Sequence, residues 1–158
     1  MYKRILLAYD GTREGIIALR EGAVLARRCG AAVYLLSVLP ETAGVRMAES
    51  VYGGVVAGQL DSYRAILARG VAVLEQMGFK PTARLVIGEP APEIGAFARE
   101  IKADLVIVGH RRHNALERWW SGASGASVID HIKCSLLVAC TAISDEAFEA
   151  ELNAGEVQ

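Results

Sequence analysis

Short apolar runs and longer helical stripes alternate along this chain. Ile5 to Tyr9, Ala32 to Val38, Ala83 to Ile87, Leu105 to Val108 and Leu136 to Ala139 are near-continuous apolar runs, mostly rich in branched residues. Such runs suit strands covered on both faces, because a half-exposed strand would alternate polar and apolar positions. Between them, apolar residues recur at helical spacing. Leu60, Tyr63, Leu67, Val71 and Leu74 form one stripe ending near Gly78. Ile94, Phe97, Ala98 and Ile101 form another, entered through Glu89-Pro90 with Pro92 in the first turn. Thr12 is placed to N-cap a helix that runs to Gly30, a residue suited to the left-handed position past its end. Ser121 or Ser124 can cap a last helix carrying Val128, Ile129 and Ile132. The order β-α-β-α-β-α-β-α-β predicts right-handed crossovers. The fold class is α/β: a three-layer sandwich around a five-stranded, mostly parallel, doubly wound sheet.

Two stretches fall outside this pattern. Residues 40–56 contain Pro40, Gly44, Gly53 and Gly54 and read as a long irregular connection. The tail after Ala142 carries five acids and no bases, and reads as a frayed, solvated end. Glu146 to Leu152 is its one stretch able to form a short docked helix. The chain therefore divides into one domain, residues 1–142, and an acidic C-terminal tail, residues 143–158.

Composition narrows the partners. With 158 residues, 53% apolar and 22% charged, the chain can bury a sizeable single core. A formal net charge of −1 supplies no field that would draw nucleic acid or an anionic membrane. No stretch is long enough to span a bilayer, and the apolar run at the start is too short for a signal peptide. Cys29, Cys134 and Cys140 are odd in number and scattered, which points to a reducing compartment and a cytoplasmic protein.

In an open parallel sheet, ligands bind beyond the carboxyl ends of the strands, where strand order reverses. With the first strand central, the reversal falls between the first and fourth strands. Ala8-Tyr9-Asp10-Gly11, Val108-Gly109-His110-Arg111-Arg112 and Val38-Leu39-Pro40 then surround one crevice. Past the fourth strand, Ser121-Gly122-Ala123-Ser124-Gly125 opens a helix. Its bare amides can hold a phosphate, with Arg111 and Arg112 adding charge-assisted hydrogen bonds. Equally, Gly122 and Gly125 can serve close helix–sheet packing with the arginines solvated. The residue chemistry leaves both readings open.

Several motifs resemble the universal stress protein family. Lys3 to Thr12 looks like its first strand and acidic turn, and Leu35-Leu36-Ser37-Val38 like its second strand. Gly88-Glu89-Pro90, Ile94 and Ala103 to Gly109 follow its second-half signature; Gly122 to Val128 and Cys134 to Val138 resemble its last helix and strand. The resemblance extends from Tyr2 to about Ala142 and implies an adenine nucleotide alpha hydrolase-like fold. Some members bind ATP through a glycine, two residues, a second glycine, nine residues, then glycine followed by serine or threonine. Gly109 and Gly122 match this pattern, whereas Arg112 replaces the second glycine and Ala123 the hydroxyl residue. The resemblance assigns Asp10 to the ribose, Val38 to the adenine through its backbone, and Gly109 and Gly122 to the phosphates. Ala8, Tyr9, Val108, Arg111, Arg112, Ala123 and Ser124 complete the candidate cofactor-binding set. The cofactor implied is ATP, AMP or another adenine nucleotide, with two outcomes open. Arginine replaces the lost phosphate contacts, or the site is occluded.

Other chemistry is weaker. His110 and His113 bracket two arginines and are too few for a metal site. His131 reads as a helix-face residue, Cys134 and Cys140 as inert core thiols, and Trp119 and Trp120 as cover for the sheet or a partner surface. The last strand is a sheet edge open to pairing. The resemblance implies a homodimer through antiparallel pairing of the edge from Ser135 to Cys140. Function then reads as a stress-response dimeric binding module with an adenine-nucleotide crevice, and not an enzyme. The alternatives are a slow ATPase or nucleotide hydrolase, and a ligand-free interaction protein. A hydrolase needs a carboxylate to hold metal near the phosphates, and Asp10 is the one candidate among the three strand-end motifs.

Overall fold

The computed structural model describes residues 1–41, 43–110 and 128–154, apart from the side chains at 43–46 and 48. Its strands are β1 (Arg4–Ala8), β2 (Ala32–Pro40), β3 (Thr82–Gly88), β4 (Leu105–Gly109) and β5 (Ser135–Ala139). Its helices are α1 (Arg13–Cys29), α2 (Ala43–Tyr52), α3 (Val55–Gln76), α4 (Pro90–Glu100), the single turn α5 (Val128–His131) and α6 (Asp145–Asn153). The strands form one sheet in the order β3-β2-β1-β4-β5, and every pairing is parallel. The expected doubly wound α/β sandwich is present, wholly rather than mostly parallel. The order in which successive strands are laid down reverses between β1 and β4.

Alternating side chains of the central strands feed two cores. Ile5, Leu7, Leu35, Leu105 and Ile107 pack on one face with Ala18, Leu19 and Ala23 of α1 and Leu74 of α3. Leu6, Leu36, Val106 and Val108 pack on the other with Ala91, Ile94, Phe97 and Ala98 of α4 and Val128 of α5. Burial on both faces is why these strands read as continuous apolar runs. The signals at the ends of α1 also hold. The Thr12 hydroxyl accepts from Gly15 N–H at 3.2 Å, and Gly30 takes the left-handed conformation with φ 61°. The stripe of the last helix is less regular. Val128 is buried, Ile129 is exposed and Ile132 lies beyond the helix end.

Two expectations are corrected. Much of the connection at 40–56 is helical, because α2 occupies Ala43–Tyr52. Its order is tied to α3. The Glu49 carboxylate accepts from Gly54 N–H at 3.0 Å and Val56 N–H at 2.9 Å, so it caps the next helix from the preceding one. These amides hold the Glu49 carboxyl below its ordinary pKa, Val56 contributing most. Met47, Val51 and Tyr52 stay exposed, so these large apolar residues of α2 do not mark a buried face.

The acidic tail is docked, not frayed. Ser144 caps α6 by accepting from Ala147 N–H at 3.2 Å, and Phe148 is buried in the first core. Arg20 of α1 meets Asp145 at 2.6 Å and stacks 4.9 Å from the Phe148 ring centre. Arg28 meets Glu151 at 2.5 Å. Exposed ion pairs contribute at most about 1 kcal/mol each, so the buried ring, at about 2 kcal/mol, is the main anchor. The sequence alone makes these acids look solvated because the bases that meet them lie far away along the chain, on α1.

Candidate functional site

The opening at the strand reversal follows from unequal ladders. β1 pairs with β4 only as far as Leu7 opposite Ile107. The β1–β2 ladder continues to Ala8 opposite Leu36, and the β4–β5 ladder to Gly109 opposite Ala139. The two central strands therefore part at their carboxyl ends. β2 runs on from Ser37 to Pro40 past its last β1 partner, paired there with β3 alone. One edge of that extension faces the space above the end of β1.

Tyr9 and Asp10 form the lip. The Tyr9 amide donates to the Leu36 carbonyl at 2.9 Å, and the buried Ser37 hydroxyl donates to the Tyr9 carbonyl at 2.6 Å. This pair fastens the end of β1 to β2. Asp10 Oδ1 accepts from the Thr12 amide at 3.0 Å and the Thr12 hydroxyl at 2.5 Å, an Asx-type turn into α1. Gly11 supplies the positive φ of 73° that this turn needs. A Cβ on Gly15 would sit 2.5 Å from Asp10 Oδ1, so a bare first turn lets the carboxylate lie over the amino end of α1. The helix dipole favours negative charge there.

Gly109 forms the opposite lip, and its missing side chain has a use in the fold. A Cβ there would lie 2.6 Å from the Glu14 carbonyl carbon and 3.1 Å from Gly15 N, both backbone atoms of α1. The first turn of α1 thus rests directly on the end of β4. Ala8, Val38 and Val108 send their side chains into the second core, so what they offer the crevice is backbone. Ala8, Tyr9, Asp10, Val38, Val108 and Gly109 therefore share the carboxyl end of the sheet. Arg111, Arg112, Gly122, Ala123 and Ser124 lie outside the described residues, as do His113, Trp119, Trp120 and Ser121.

Helix α3 supplies a wall that the sequence pattern did not flag. Gly70 packs on the Tyr9 ring, where a Cβ would come within 2.8 Å, and Ile66 lies against Gly11. Burial raises the Tyr9 pKa, while Arg69 alongside pulls it back down. A glycine inside a strong helical stripe costs roughly 1 kcal/mol against alanine. That cost was the available signal that something approaches closely at Gly70.

The cysteines differ from the expected pair of core thiols. Cys140 is exposed and Cys134 is half-buried. Burial, then the neighbouring Asp104 carboxylate, raises the Cys134 pKa. The thiolate is the nucleophile. In the reduced protein, iodoacetamide will therefore label Cys140 ahead of Cys134, read by peptide mass spectrometry over time. Equal rates would contradict this difference in environment. His131 closes α5, and its carbonyl accepts from Arg99 at 2.9 Å. Among the described residues no group of three or more His, Cys, Asp or Glu is arranged to hold a metal ion, and no helix is long and apolar enough to cross a membrane.

A family model described as the universal stress protein family matches residues 1–139. The chain belongs to that family. A putative universal stress protein of Staphylococcus aureus is 30% identical over 143 residues, covering 89% of this chain and 85% of the relative. A universal stress protein crystallised in complex with cAMP shares the fold with a TM-score of 0.64 at 20% identity, covering 89% of this chain and 98% of that one. The family member of Archaeoglobus fulgidus in complex with dAMP aligns with a TM-score of 0.60 at 22% identity, covering 88% and 98%. The sheet and its helices accordingly have the adenine nucleotide alpha hydrolase-like fold of these proteins. The family model ends at Ala139, so the α6 segment lies beyond the part that it describes.

Proposed function

We propose that this universal stress protein is a stress-response binding module whose crevice between β1 and β4 takes an adenine nucleotide. The carrying observation is the opening at the strand reversal, with the Asp10 carboxylate on one lip and Gly109 on the other. Two proteins of the same fold are known in complex with cAMP and dAMP, which supports an adenosine monophosphate as the ligand class. In this reading Asp10 accepts from the ribose hydroxyls, and the projecting backbone at Val38 reads the adenine edge. The amides after Gly109 meet the phosphate, together with Arg111, Arg112, Gly122, Ala123 and Ser124. Asp10 Oδ1 also holds the turn into α1, which favours a positioning carboxylate over a catalytic one. We further propose a cytoplasmic homodimer formed through the edge from Ser135 to Cys140. A ligand-free interaction module is the second reading, favoured by Arg112 and Ala123, which depart from the family's ATP motif.

Freshly purified protein will release an adenine nucleotide on denaturation, identified by mass spectrometry. Calorimetry of the emptied protein with ATP, ADP, AMP and cyclic AMP, with and without magnesium, will give saturable binding to at least one of them. A hydrogen bond to a charged group contributes about 1.5–3 kcal/mol, so Asp10→Ala will weaken binding about 10- to 100-fold. Gly122→Trp will abolish it. No bound nucleotide, and no heat with ligand at about 1 mM, where binding is worth only ~4 kcal/mol, would leave the ligand-free reading.

A further inference from the structure

Strand β5 has one sheet neighbour among the described residues, β4, and its middle residues Leu136, Leu137 and Val138 are only partly buried. Its backbone phase is set by two bonds. Ser135 N–H donates to the Asp104 carbonyl, and the Ala139 carbonyl accepts from His110 N–H. Ser135, Leu137 and Ala139 therefore point their backbone groups at β4, and Leu136 and Val138 point theirs outward. A second copy pairing antiparallel with this edge must set outward-pointing residues opposite each other. The twofold axis can then pass only at a residue, never between two residues. Of the available choices, the axis at Leu137 alone overlaps all of Ser135 to Ala139. Leu136 then faces the partner's Val138, and Cys134 faces the partner's Cys140. Both cysteines lie one residue beyond the strand, Cys134 in the bend that leads into it, and are equally spaced about Leu137.

We propose that these cysteines form a reciprocal pair of disulfides, Cys134 of each protomer to Cys140 of the other, which lock the dimer when the protein meets a hydroperoxide. The inference rests on the homodimer reading above and adds a redox function to it. Opposite residues that exchange both backbone bonds in an antiparallel pair have Cα atoms about 5.5 Å apart, with side chains on the same face. That separation lies within the roughly 4.4–6.8 Å that a disulfide spans. Cys140, the exposed thiol of the pair in the single chain, lies at the end of the paired edge and reacts first. Its thiolate attacks a peroxide oxygen, the O–O bond breaks, and the departing hydroxide takes a proton to become water, leaving a sulfenic acid. The facing Cys134 then attacks that sulfur; the S–O bond breaks, the S–S bond forms, and a second water leaves. Each bridge oxidises two thiols by two electrons and reduces one hydrogen peroxide to two waters.

The test is a complementation between variants, all carrying Cys29→Ser. Hydrogen peroxide will convert the parent to a covalent dimer on a non-reducing gel, reversed by dithiothreitol. Cys134→Ser alone and Cys140→Ser alone will stay uncrosslinked. The two variants mixed and allowed to exchange subunits will crosslink again, because one Cys134 then faces one Cys140. Peptide mass spectrometry will find Cys134 joined to Cys140. A crosslink that persists in Cys134→Ser would mean a Cys140–Cys140 bond and overturn the register. An intrachain bridge, or a mixture that does not crosslink, would overturn the proposal. Light scattering on the reduced protein separates the two failures. A dimer that does not crosslink sinks the disulfide alone, whereas a monomer sinks the dimer reading as well.

Discussion

Leu35→Ala will lower the unfolding free energy by about 4 kcal/mol, near the top of the range for a buried leucine. Leu35 is wholly buried at the middle of the sheet, opposite Leu7 on β1 and Ala83 on β3. The cost of such a truncation depends on whether neighbours can move into the space. Above Leu35 lies Gly70, which has no side chain to offer; a Cβ there would already meet Leu35 at 2.9 Å and the Tyr9 ring at 2.8 Å. That ring stops α3 from settling, so the cavity stays open. Urea denaturation will show a lower midpoint with an unchanged slope. A loss below about 2 kcal/mol would mean that α3 can collapse onto β2 in spite of the Tyr9 ring beneath Gly70.

Gly109→Ala will cost about 3 kcal/mol, at the upper end for adding a methyl group to a packed site. The new Cβ would meet the Glu14 carbonyl carbon at 2.6 Å, and backbone cannot rotate aside as a side chain can. Either the first turn of α1 lifts or the end of β4 bends. Lifting that turn also disturbs the Asp10–Thr12 bonds, so nucleotide binding will weaken beyond the loss of stability. The midpoint of thermal unfolding will fall by about 6–12 °C for a chain of this size. Gly58→Ala is the control. It lies within α3 with nothing within 4 Å of its missing Cβ among the described residues, and will raise stability by up to about 1 kcal/mol. A Gly109→Ala protein as stable as its parent would show that α1 does not rest on β4 as described.

Local chemistry made much of this legible. The three central strands announced themselves because both faces are covered, and Thr12 and Gly30 marked the ends of α1 because capping is a local event. The reversal between β1 and β4 followed once the first strand was placed at the centre, its usual position in a five-stranded sheet of this kind. The misread stretches share one physical cause: their stabilising partners are distant in sequence or carried by another element. Glu49 caps α3 from α2, and Arg20 and Arg28 on α1 hold the acidic α6. The exposure of Cys140 is invisible in the sequence because a strand of apolar residues reads alike at a sheet's centre and at its edge.

The candidate site divides the same way. Asp10 and Gly109 were singled out as strand-end residues, since a charge or a glycine after a buried run is visible in one dimension. Their spacing across the crevice, the wall made by Ile66 and Gly70, and the Ser37 bond to Tyr9 are contacts between segments and leave no periodic trace. By itself, then, the sequence determined the α/β class, the order of the five strands, the family and the strand reversal at which a crevice was expected, because periodicity, caps and motif order are local properties of the chain. Tertiary structure alone decided how closely α1 rests on β4, how α3 walls the crevice, where the acidic tail docks and which residues of β5 face outward. Those depend on which distant segments meet, and at what distance.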